Sequence, residues 1–208
     1  MSAPLYATTG DGRAEFVEKK SRFIGSIAHV ETEAEAKAFV AKVSAEFRDA
    51  THNVFCYILR DQNTVRFTDD GEPQGTAGRP ALEVLTRSGV TDCCLVVTRY
   101  FGGTLLGANG LVRAYAASAS QALAAAGIRE MMERALLVCA FTYADWARVE
   151  PFLQKAEGLT VGAPEFGGDV TVTLELDPED VDDLRGKLQE RTAGRCTMLD
   201  GGRKICAR

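Results

Sequence analysis

The chain has 208 residues, enough for two domains of modest size, with 46% hydrophobic and 25% charged residues and a net charge of −5. These proportions exclude a disordered chain, a collagen-like rod and a coiled coil. They also exclude a protein that coats nucleic acid through an overall basic excess, so any polyanion contact has to be a local patch.

Arg13–Lys20 and Phe23–Val30 alternate apolar and polar residues, which predicts two strands joined near Ser21. Thr32 and Glu35 have capping-box spacing, and Ala36, Phe39, Val40, Val43 and Phe47 give the helix that follows one apolar face. Asn53–Leu59 and Thr64–Phe67 read as strands around a polar turn at residues 61–63. Asp69–Gly78 is a loop dense in breakers, and Pro80 suits the first turn of a short helix that ends before Gly89. Cys93–Thr98 is a continuous apolar strand, expected at the sheet centre. A glycine-rich bend, Gly102–Gly110, leads into an Ala-rich helix that Gly127 stops.

The pattern resets near Met131. Strand Arg134–Tyr143, helix Trp146–Glu157, strands Thr160–Phe166 and Val170–Leu176, a helix from Asp177-Pro178 to Thr192 and strand Arg195–Leu199 give β-α-β-β-α-β. That order is the ferredoxin-like unit. The expected division is therefore 1–130 and 131–208, and the fold class is α+β. Charge divides too: the first part carries 14 basic and 15 acidic residues, the second 10 and 14. A basic patch is easier to build in the first.

No run resembles a membrane span, and the N-terminus lacks the charged and apolar regions of a leader, so a cytoplasmic protein without membrane contact is expected. Cys56, Cys93, Cys94, Cys139, Cys196 and Cys206 include no C-x-x-C pair, and only His29 and His52 could join them. Six free thiols, no metal site and no cofactor are the expectation.

Two loops could carry chemistry. In Arg99-Tyr100-Phe101-Gly102-Gly103-Thr104-Leu105-Leu106-Gly107-Ala108-Asn109-Gly110 a buried strand runs through glycines into a helix N-terminus. Backbone N–H groups there can receive a phosphate, and glycines let it approach. Ala108-Asn109 stands where a P-loop needs Lys-Ser/Thr, and Thr104 breaks the dinucleotide fingerprint. Arg22, Arg99 and Arg113 would add charge-assisted contacts around Gly102, Gly103 and Gly107, and Tyr100 could stack on a base. In the other loop, Asp69, Asp70 and Glu72 could hold a bridging cation or repel unselective polyanions, although solvated turns often look the same. Cys56 lies four residues along a strand from His52, about 13 Å, too far for a catalytic dyad.

Ser21-Arg22-Phe23-Ile24, His52-Asn53, the run Asp69–Pro80, Arg99–Gly103 with Gly107, and Gly110–Tyr115 together resemble the IMPACT/YigZ family over nearly the whole chain. The resemblance implies an N-terminal α+β domain of the kind found in a small-subunit ribosomal protein and in elongation factor G. It also implies a ferredoxin-like C-terminal domain. Eukaryotic members look like translation regulators, so the resemblance implies a translation-associated protein binding RNA, the ribosome or a translation factor, with no catalytic residues. The competing expectation is an enzyme that acts on a phosphorylated small molecule at the glycine-rich bend.

Overall fold

Alternating sequence becomes a hairpin at once in the computed structural model, which describes residues 5–60 and 63–207. Strand β2 (Gly12–Glu18) pairs with β3 (Ser21–His29) through a two-residue turn of Lys19 and Lys20. Both lysines have positive φ, 45° and 67°. Such left-handed turns match the twist of paired strands. Without an Asn-Gly signal, sequence alone carries the first strand two residues too far, to Lys20.

The chain divides into units Met1–Met131 and Met132–Arg208. In the first, α1 (Glu33–Glu46), β4 (His52–Leu59), β5 (Thr64–Phe67), α2 (Gly78–Arg87), β6 (Cys93–Tyr100) and α3 (Ala108–Ala126) follow the hairpin. Part of the predicted 61–63 turn lies outside the described residues. The sheet order is β2-β3-β6-β4-β5, so the apolar β6 is central, as its composition predicts. Helices α2 and α3 bury Ala81, Leu85, Tyr115 and Ala119 against Phe23, Cys56, Leu95 and Val97. Helix α1 covers the other face over Tyr57, Leu59 and Cys94, and its Thr32–Glu35 capping box is formed. A short β1 (Leu5–Thr8), with no sequence signal of its own, pairs with the first residues of β7 (Ile128–Phe141).

In the second unit, β7 from Ala135 onward pairs with β10 (Val170–Leu176). Helices α4 (Tyr143–Leu153) and α5 (Val181–Thr192) bury Trp146, Val149, Leu153, Leu184 and Leu188 against that pair. The predicted Thr160–Phe166 strand is two fragments, β8 (Thr160–Val161) and β9 (Glu165–Phe166), both on β10. Gly162 and Pro164 lie between them, and a proline cannot donate to a ladder. Asp177 opens a short 3-10 turn, Pro178–Asp180, before α5. Strand β11 (Thr197–Ala207), beside β7, passes the predicted Leu199 end because Gly201 packs on Leu136 and Val138 instead of turning. The α+β class stands.

All six cysteines are free thiols; Cys56, Cys93, Cys94 and Cys139 are buried, and Cys196 and Cys206 are half-buried. Burial pushes the Cys94 and Cys139 thiols up to about 12. Alkylation of the native protein at pH 8 is therefore expected to label two thiols quickly and six after unfolding, counted by mass spectrometry. Fast native labelling of four or more would contradict this packing. No helix among the described residues is long and apolar enough to cross a membrane.

Candidate nucleic-acid interface

The acidic loop is built from the inside. Asp69 accepts backbone hydrogen bonds from Gly75 (2.7 Å), Ala77 (3.1 Å) and Gly78 (2.8 Å). It thereby satisfies first-turn donors of α2, whose own N-cap, Ala77, has no side chain to do so. Asp70 accepts from the Asn53 N–H at 2.6 Å through its carboxylate, and its carbonyl lies 2.6 Å from His52 Nδ1. That carbonyl can only accept, so Nδ1 carries the proton. Glu72 turns inward and is buried.

Glu72 is also where the two loops meet. Its Oε1 lies 2.6 Å from Arg99 Nη1, accepts the Tyr115 hydroxyl at 2.7 Å, and stands 3.9 Å from His52 Nε2. Arg99 donates to Ser21 Oγ at 3.4 Å and sits between the Phe23 and Phe101 rings, 5.6 and 5.5 Å from their centroids. Burial, with Glu72 alongside, pushes the Tyr115 hydroxyl far above its ordinary range. Two expectations are corrected here. Arg99 is 5% exposed and its charge is answered by Glu72, so it braces the bend from within and does not face a ligand. Asp69, Asp70 and Glu72 point to three separate protein partners instead of converging on a cation. Among the described residues no three or more His, Cys, Asp or Glu are grouped to hold a metal ion.

The glycines behave differently from one another. Gly102 is jammed against the hairpin: a Cβ there would stand 2.0 Å from the Lys20 carbonyl carbon. Its N–H donates to Ser21 Oγ at 3.2 Å. Gly103 and Gly107 have φ of 80° and 73° and face open space. Gly107 is the N-cap of α3 and offers no side-chain cap, which leaves the helix's first amides to solvent or ligand.

Around that open end stand the cations. Lys19 and Lys20 are exposed at the hairpin tip and Arg113 is exposed one turn into α3. Among the described residues none of the three has an ion-pair partner. Lys19, Arg113, Phe16, Glu18, Leu106 and Gly110 border a hollow of about 180 Å³. Arg22 is different. It forms a bidentate pair with Glu15 at 2.7 Å and lies over the Tyr100 ring, 5.6 Å from the centroid. That pairing holds the Glu15 carboxyl below its usual range. The Tyr100 hydroxyl donates to Asp49 at 2.8 Å, so one tyrosine face and its hydroxyl are already engaged. Phe101 and Leu105 are exposed beside them, at 46% and 80%. Sequence does not mark His52 and Tyr115 as parts of the buried knot, and it gives Lys19 and Lys20, with Arg22, only as a small basic cluster of the kind that normally forms a solvated face. Tyr115 had a usable signal: it follows Leu111 by four residues on the buried face of α3, where a hydroxyl needs a partner.

A unit with this five-stranded sheet and glycine bend, followed by a βαββαβ unit, defines the class of protein. Residues 19–123 match the Impact N-terminal domain, and residues 139–195 match a Domain of unknown function, DUF1949. The chain is 36% identical over 194 residues to "IMPACT family member YvyE" of Bacillus subtilis, covering 91% of this chain and 88% of that one. It is 35% identical over 184 residues to "IMPACT family member YigZ" of Escherichia coli, covering 87% and 90%. A solved structure described as a crystal structure of a hypothetical protein is 31% identical, with TM-score 0.65 over 97% of this chain and 99% of that one. The chain belongs to the IMPACT family.

Proposed function

We propose that the protein is a translation-associated binding protein that takes RNA on the face shared by the Lys19-Lys20 hairpin tip, the glycine bend and the start of α3. The observation that carries this reading is the grouping of three unpaired cations, Lys19, Lys20 and Arg113, beside the uncapped first turn at Gly107. Phosphates seek such donors, and Gly103 and Gly107 leave the approach clear. Phe101 and Leu105 supply apolar surface for an unstacked base. Glu15 pairs with Arg22 and Asp49 holds the Tyr100 hydroxyl, which leaves Lys19, Lys20 and Arg113 as the unpaired cations of this face.

Binding of a fluorescent single-stranded RNA across a salt series tests the reading. Lys19→Ala, Lys20→Ala and Arg113→Ala together are expected to weaken binding at least tenfold and to lower the salt slope by about two phosphate contacts. An unchanged slope in the folded triple variant would remove RNA from this face.

A further inference from the structure

The five-stranded sheet has a second feature, on its opposite margin. Strand β5 ends the order β2-β3-β6-β4-β5, so among the described residues one side of it has no strand partner. The Thr68 N–H bonds the Phe55 carbonyl at 3.0 Å, which fixes the alternation along the strand. Arg66, two residues earlier and opposite Tyr57, also turns its main-chain groups toward β4. Val65 and Phe67 turn theirs outward. Their side chains are 41% and 48% exposed on the side of α2, where Phe67, Arg79, Leu82, Glu83, Thr86 and Arg87 border a groove of about 430 Å³.

Native sheets usually blunt such an edge with charge, proline or a covering segment. Here the Arg66 guanidinium, reaching the Val65 carbonyl at 2.9 Å, holds one outward acceptor, and its two neighbours are apolar. The groove rim is basic: Glu83 is shared by Arg79 at 3.4 Å and Arg87 at 3.3 Å, and both arginine side chains remain at least 70% exposed.

We propose that β5 and the α2 groove dock an extended, acidic peptide segment of a partner protein, added to the sheet as a sixth strand. Its main chain bonds the Val65 N–H and the N–H and carbonyl of Phe67, and its alternate apolar side chains rest on Phe67 and Leu82. The carboxylates that alternate with them turn to the α1 side and meet Arg66, and acidic residues flanking the apolar stretch on the α2 side meet Arg79 and Arg87. Charge selects this occupant. A second copy paired symmetrically through the same edge would set these arginines against their own counterparts.

The test uses the full chain and two synthetic ten-residue probes, each with three Val at alternate central positions and all remaining positions Glu in one and Lys in the other, so that charged residues flank the Val stretch on its own face. Amide hydrogen exchange is read residue by residue by NMR. The acidic probe is expected to slow exchange at Val65 and Phe67 at least tenfold, and the basic probe to leave both unchanged. The exposed double variant Arg79→Glu/Arg87→Glu is expected to lose at least tenfold in affinity for the acidic probe with unaltered circular dichroism. Equal protection by both probes, or none by the acidic one, would overturn the proposal. So would a dimer of the free chain in sedimentation that Val65→Lys abolishes, since a second copy would then own the edge.

Discussion

Replacing Arg99 by Met is expected to cost about 3–5 kcal/mol of folding stability, the range for a buried ion pair that loses one partner. The cause is what stays behind. Glu72 remains buried against Tyr115 with no cation beside it, and Ser21 loses a donor. Removing both charges, as Glu72→Met with Arg99→Met, is expected to cost clearly less than Arg99→Met alone, because no charge is then stranded. Urea unfolding of the wild type, both single variants and the double variant supplies the full cycle. A single variant within 1 kcal/mol of wild type would mean that the pair is not what locks the acidic loop to the bend.

Gly102→Ala is the second large effect. The added methyl would meet the Lys20 backbone at 2.0–2.1 Å and the Ser21 nitrogen at 2.5 Å, and none of these is a flexible side-chain end. The bend must lift off the hairpin, at a cost of about 1–3 kcal/mol or more. Because that contact also sets the distance from Lys19 and Lys20 to Gly107, RNA affinity is expected to fall along with stability. Gly10→Ala, where the same methyl meets nothing within 4 Å, is the control and should leave both measurements near wild type. Equal melting temperatures for the two variants would show that the hairpin and bend are not in contact.

Where a single physical signal decides an element, the sequence was enough. Thr32 and Glu35 announced α1, the apolar run at Cys93 announced the central strand, and β-α-β-β-α-β after Met131 was readable from periodicity. Elements set by remote partners were not readable. Strand β1 exists because the start of β7 offers it an edge, and β11 extends because Gly201 fits against Leu136 and Val138. The site divides along the same line. Glycines and arginines mark where chain and charge are constrained, so both loops stood out. Whether an arginine faces water or a buried glutamate is a tertiary fact, and Glu72 lies 27 positions from Arg99. An exposed-looking acidic loop thus concealed the counter-charge of its neighbour, and the weaker Lys19-Lys20 pair was left as the basic edge of the surface.

The RNA reading is tested most directly by the hydrogen-exchange footprint of the whole chain, with and without a saturating single-stranded RNA. The expected footprint covers the hairpin tip at 19–20 and the backbone from Gly103 to Gly110, with no added protection on α4 or α5. Protection confined to the second unit, or none in the first, would contradict the assignment of this face as the RNA-binding surface.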